Sequence, residues 1–232
     1  MILSDKIRNF DVIEPLPSEA HKTCREYEAL AMLKFLLSEQ FENLHKADAP
    51  DLQDPEHSLG VEVTWGGSED DEKISGESIK YSNAQSDQER KRILKKIRAL
   101  GGDRDEISTT YPAGTSEKDK ANIEKAFRKK LKKAEKYRKN FDHLGIVIMI
   151  DIPMIFFKPD FDWKEWLFEI NESSISNYDF VILSHWSGID LYDFRTREYT
   201  QCRIEREDRA ALCKLARMTT EGIVKDDDPV WR

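Results

Sequence analysis

Asp51, in Ala49-Pro50-Asp51-Leu52, and Glu62, in Gly60-Val61-Glu62-Val63-Thr64, are the two residues of this chain whose type and spacing best suit chemistry. From Leu59 to Trp65 a strand would alternate faces, so Val61, Val63 and Trp65 can enter a core while Glu62 and Thr64 share the opposite side. Asp51 lies just before a turn-rich segment, residues 53–58, that contains Pro55. A hairpin-like return there can bring its carboxylate beside Glu62. Two hard oxygen ligands from adjacent strands suit Mg2+ or Mn2+, ions that keep waters in their shell. A metal held this way turns a bound water into a nucleophile and neutralises charge building on a phosphate.

These carboxylates need elements to position them. Residues 18–44 read as a first helix, with Pro17 just before it and Leu30, Leu33, Leu37 and Leu44 along one face. Glu28 would sit on the flank of that face. After the strand pair, residues 66–83 hold Gly66-Gly67, an acidic run and Gly76, which predicts a mobile loop or short helix. Ser86 with Glu89 is a capping-box pattern for a helix running to about Leu100, where Gly101-Gly102 would stop it. Ser116 opens the next helix, with Ile123, Phe127, Leu131, Ala134 and Phe141 at helical spacing and Lys129, Lys132, Lys133 and Lys136 left largely outward. Residues 145–150 are apolar on both faces, as in a central strand covered on each side. A helix over residues 162–170 and a second buried strand over 178–183 imply a right-handed parallel crossover. A turn at His185-Trp186-Ser187-Gly188 leads to a strand over residues 189–194, with 199–204 available to pair with it. A helix over 206–217 and a polar, frayed tail follow.

The segment from Pro50 to Thr64 resembles the core of the PD-(D/E)xK nuclease superfamily, and the order of elements extends the resemblance over residues 18–194. The resemblance implies an α/β restriction-endonuclease-like sandwich with a mixed central sheet flanked by helices. It also implies a metal held by Asp51, Glu62 and the Val63 carbonyl, with Mg2+ or Mn2+ as cofactor. Members often add a glutamate from the preceding helix; Glu28 is the first choice here and Glu26 the reserve. The superfamily's lysine, two residues after the glutamate, positions the attacking water. This chain has Thr64 instead. A lysine from elsewhere can enter the site (Lys73, Lys80, Lys129 or Lys130), Thr64 can hydrogen-bond a metal-bound water as a catalytic residue, or catalysis can have been lost. Migration ranks first. Removing Asp51 or Glu62 is expected to abolish metal-dependent cleavage with folding unchanged.

Composition bounds the alternatives. The 232 residues suffice for one large domain. We expect an N-terminal arm over 1–17, a single domain over 18–205 with a helical insertion at about 84–141, and a C-terminal extension over 206–232. The formal charge of -8 argues against indiscriminate coating of nucleic acid. Yet residues 118–139 hold eleven Lys or Arg against three acids, a helix that can track a phosphate backbone through Lys129, Lys132, Lys133 and Lys136. DNA or RNA is the expected partner, and a homodimer is left open. Cys24, Cys202 and Cys213 are an odd number without CxxC spacing, which argues against a disulfide framework or zinc ribbon. Neither HExxH, GxxxxGK[ST] nor GxGxxG occurs. No apolar run reaches membrane-spanning length and no signal-peptide core appears, so a soluble, cytoplasmic protein is expected. His185 reads as a turn residue, and Trp163, Trp166 and Trp186 as core more than base-stacking groups.

Overall fold

The computed structural model describes residues 3–12, 14–105, 109–110, 116–150 and 161–231. Its helices are α1 (Asp5–Arg8), α2 (His21–Leu36), α3 (Ser38–Phe41), α4 (Glu69–Asn83), α5 (Asp87–Ala99), α6 (Ser116–Tyr137), α7 (Trp163–Glu172) and α8 (Arg206–Thr220). Its strands are β1 (His45–Lys46), β2 (Leu52–Asp54), β3 (Leu59–Trp65), β4 (Asp103–Arg104), β5 (Thr109–Thr110), β6 (His143–Met149), β7 (Phe180–His185), β8 (Gly188–Asp193) and β9 (Tyr199–Arg203). Seven strands form one mixed sheet in the order β1-β2-β3-β6-β7-β8-β9, while β4 and β5 make a separate short hairpin. The centre, β3-β6-β7, is parallel, and the pairs on either side of it are antiparallel.

Strand alternation assigns each face its helices. Val61, Val63, Val147, Met149 and Ile182 pack with the apolar sides of α1, α2 and α8. Their neighbours Leu144, Ile146, Ile148, Val181 and Leu183 pack with α6 and α7. Both faces are therefore covered, which is why β6 and β7 read as continuous apolar runs. Glu62 pairs in register with Ile146 and so belongs to the face that α6 covers.

Three expectations need correction. The first helix is shorter than residues 18–44, because Leu37 leaves helical geometry at φ -132, ψ 44. Most of residues 66–83 is the fifteen-residue helix α4, Glu69–Asn83, longer than the loop or short helix expected. The Ser68 hydroxyl caps it, and Glu69, Asp70, Asp71 and Glu72 sit in its first turn, where carboxylates meet the positive end of the helix dipole. The chain ends are part of the core: Leu3, Ile7, Ala211, Leu212, Leu215, Ala216 and Trp231 are buried in the cluster that holds α2. Trp186 is exposed, whereas Trp163 is buried as expected.

Gly60 has a specific packing role. A Cβ there would lie 2.6 Å from the Pro50 ring, 3.1 Å from Phe141 and 3.2 Å from Leu144. Its bare backbone lets the Pro50 turn lie against β3.

A part-buried ion pair ties the end of α6 to the starts of β6 and β7. Arg138 donates to both Asp179 oxygens at 2.8 and 2.9 Å, and the Leu144 N–H donates to the same carboxylate at 2.7 Å. Asp179→Asn keeps the shape but removes the charge. It should lower unfolding free energy by about 2 kcal/mol, the scale of a charge-assisted hydrogen-bond set. Urea unfolding at neutral pH measures this, and an unchanged midpoint would show the bridge to be energetically idle.

Candidate functional site

The site forms where β2 begins and β3 continues past it. Asp51 immediately precedes β2, and its Oδ2 accepts a 2.9 Å hydrogen bond from the Val63 N–H. In a strand the N–H and C=O of one residue point to the same edge, so the Val63 carbonyl faces the same edge as Asp51. Glu62 stands next to it on the α6 side of the sheet. Asp51 and Glu62 are 2 % and 1 % exposed. Buried carboxylates need compensating charge.

That charge comes from lysines. Lys130 of α6 is itself only 7 % exposed. It reaches Glu62 Oε1 at 2.5 Å and Asp51 Oδ2 at 3.5 Å, so one ammonium bridges the two motif carboxylates. Lys133, one turn along α6, adds a second contact to Glu62 Oε1 at 2.9 Å. Glu62 Oε2 is buried with no hydrogen bond of good geometry, although the Tyr137 hydroxyl lies close enough to feel its charge. Burial first, and then that charge, push the Tyr137 hydroxyl well above the usual phenol range. Tyr178 fixes the helix by donating to the Lys130 carbonyl at 3.0 Å.

From the opposite face α2 supplies Glu26, 3 % exposed. Lys46 meets its Oε2 at 3.1 Å, and Lys22 spans its Oε1 at 2.9 Å and Asp51 Oδ1 at 3.2 Å. The Lys22 side chain is 67 % exposed. Its own pKa is raised, chiefly by the Glu26 hydrogen bond. Burial pushes the Asp51 carboxyl up, but the Lys130 charge, the Val63 N–H and Lys22 together outweigh this and hold it below the ordinary carboxylate value.

The structure thus brings Asp51, Glu62 and Val63 together and leaves other expected residues elsewhere. Glu28 is two positions from Glu26, roughly 200° around the helix, and ion-pairs with Arg209 of α8. The reserve choice, Glu26, occupies the expected place. Thr64 lines the adjoining groove and its hydroxyl has no hydrogen-bond partner among the described residues. Lys73 and Lys80 pair with Asp70 and Glu77 along α4. Of the four lysines weighed to replace the missing one, Lys130 reaches the carboxylates. Lys22 and Lys46 were not foreseen; the i,i+4 spacing of Lys22 and Glu26 was the available signal.

A groove of about 880 Å3 opens beside these groups, between the starts of α2 and α4, the end of β3, and α6. Lys118, Asn122, Lys125 and Lys129 line one wall, a spacing that puts them along a single edge of α6. Arg25 lies over the Trp65 ring at 5.1 Å on the other side. Of the four lysines expected to meet phosphates, Lys129 lines this groove and Lys133 is bound to Glu62. Lys132 and Lys136 are exposed on α6 outside the groove.

Among the described residues no three His, Cys, Asp or Glu side chains are arranged as a ready metal cage. The donor chemistry nevertheless fits a hard divalent cation. Lys22, an exposed ammonium bridging two carboxylates, stands where a cation satisfies the same oxygens, and a long solvated side chain is easily displaced. Asp51 and Glu62 beside the Val63 carbonyl edge offer hard oxygens and leave room for the waters that Mg2+ retains. All three cysteines are free thiols. No helix among the described residues is long and apolar enough to cross a membrane. No family model, curated protein or solved structure matches this chain.

Proposed function

We propose that this protein is a divalent-metal-dependent nuclease of the PD-(D/E)xK type, whose motif lysine is supplied from α6 as Lys130. The observation that carries the reading is the single buried ammonium shared by Asp51 and Glu62. It puts a positive charge beside both motif carboxylates although Thr64 occupies the usual lysine position. The mixed sheet with helices on both faces supports a restriction-endonuclease-like arrangement.

In this reading Asp51, Glu62, the Val63 carbonyl and Glu26 hold Mg2+ or Mn2+. The bound metal supplies an activated water and offsets charge on the phosphate. Lys130 offsets the charge of the two carboxylates and holds them in place, and its remaining N–H can orient a water or a phosphate oxygen. Lys118, Lys125 and Lys129 lead the substrate backbone along the groove. A strand of DNA or RNA is the substrate.

Incubation of the full chain with Mn2+ and a broad panel of labelled DNA and RNA tests this. Cleavage that requires Mn2+ and falls at least about a hundredfold in Asp51→Asn is the expected result. Metal-dependent cleavage retained in that variant would remove the site assignment. Absence of cleavage on every substrate, with strand binding intact, would favour a nuclease-like module that binds without cutting.

A further inference from the structure

The second concave surface of the molecule lies between the end of α4, α5 and the β4–β5 hairpin. It encloses about 520 Å3 and is lined by Tyr81, Ser82, Arg90, Lys91 and Arg104, among others. Three cations, Arg90, Lys91 and Arg104, and one carboxylate, Asp87, line it, so positive charge is in excess. Arg104 stacks on Tyr81 at 5.3 Å, and its guanidinium meets no carboxylate among the described residues. One nitrogen donates to the Thr109 hydroxyl, another to the Ser82 hydroxyl at 2.7 Å, and Nε is buried with no acceptor. Arg90 donates to the Ala84 carbonyl at 3.4 Å and lies 4.0 Å from the exposed carboxylate of Asp87, which also lines the hollow. Lys91 has no partner among the described residues.

A half-buried guanidinium held by two neutral hydroxyls, with its buried Nε donor left over, is incompletely compensated. Arginine's planar donor fork matches phosphate oxygens. Two further cations around the same hollow make a phosphate the ligand that balances it, while a neutral or cationic ligand would leave the deficit.

We infer that this hollow binds a backbone phosphate of the same nucleic-acid strand that enters the groove beside Asp51 and Glu62. The inference rests on the nuclease reading for the identity of the strand. The link between the two sites is α4 itself. Its first turn lines the groove at Asp70, and its last turn lines the hollow at Ser82. At 1.5 Å per residue the separation along the helix is about 18 Å. A stacked strand advances about 3.4 Å per nucleotide, so the hollow would hold a phosphate about five nucleotides from the groove. The helices between β3 and β6 therefore act as a ruler that extends the substrate footprint.

Fluorescence anisotropy on the full chain in EDTA tests this, with labelled DNA and RNA strands of about 4 and about 16 nucleotides chosen to fall short of and to span that footprint. Because Lys91 has no partner, Lys91→Glu should fold as the parent does. It should weaken the long strand about tenfold and leave the short strand unaffected. The neutral variant Lys91→Ala should reduce the salt slope of long-strand binding by about one. Arg104→Gln should follow the same length dependence. Equal long-strand affinity in Lys91→Glu and the parent would overturn the inference. So would a long strand that binds no better than a short one, or a hollow that takes inorganic phosphate but no strand. Failure of the nuclease reading shows separately, as absence of Mn2+ binding in calorimetry, which Lys91→Glu leaves unchanged.

Discussion

Lys130→Met is expected to unfold at clearly lower denaturant concentration in metal-free buffer, and to regain much of that loss when Mn2+ is added. Lys130 contributes its ammonium to two carboxylates that are almost inaccessible to water. Removing one partner of a buried ion pair costs about 3–5 kcal/mol, because the remaining charge is left uncompensated. Methionine fills similar volume, which confines the loss to electrostatics. Lys133 and Lys22 still contact Glu62 and Asp51, so the lower half of that range is the better expectation. A divalent cation bound by the same oxygens would replace the missing charge and stabilise by mass action. Cleavage should stay at least about a hundredfold down even with metal bound, the usual loss when a positioned donor is removed from a reaction centre. Chemical denaturation with and without Mn2+ reads the first part. A variant equally unstable at all Mn2+ concentrations would show that the carboxylates do not take the metal.

Glu62→Ala should lose Mn2+ affinity by at least about tenfold, the effect of removing a charged ligand or its support, and should destabilise the protein as well. The second effect reverses the expectation that this substitution leaves folding unchanged. Glu62 is the nearest partner of buried Lys130 and also receives Lys133. Without it Lys130 retains only Asp51, at 3.5 Å, and the cost should approach about 3 kcal/mol. Glu62→Gln separates the two roles, since an amide oxygen can still accept from Lys130 while the ligand charge is gone. Its stability should lie between those of the parent and Glu62→Ala, with metal affinity lost as in the alanine variant. Calorimetry with Mn2+ and urea unfolding on both variants provide the check. Unaltered Mn2+ affinity in either would remove Glu62 from the metal site.

How much of this was legible follows from sequence distance. Asp51 and Glu62 could be paired because a short hairpin joins them, and turn residues and strand alternation are both local signals. The buried strands β6 and β7, the capped helix α5 and the hairpin β7–β8 were legible for the same reason. Lys130 was one lysine among many on a basic helix, and nothing local says which of them a packed helix turns toward a carboxylate. Glu26 and Glu28 exchanged places because α2 has no clear solvent face. Glu26, Tyr27 and the run Ala29 to Leu33 are all buried, so α8 on one side and the sheet on the other erase the periodicity that phases a helix. The stretch that holds α4 read as a mobile loop or short helix because Gly66-Gly67, Gly76 and the acidic run are breaker and solvent signals. Those same charges favour a helix N-terminus once Ser68 caps it.

The close approach at Gly60 makes the two halves of the motif a single object. Pro50 sets the path of the chain into Asp51, and the ring rests where any side chain at position 60 would have to stand. Asp51 in turn is fastened to the backbone of Val63. A methyl group added at position 60 would therefore move the carboxylate without changing a single charge. Across descendants of this sequence, positions 50 and 60 should drift as a correlated pair. A larger residue at 60 should appear only where the proline has gone, giving a covariation signature of the site that contains neither of its acids.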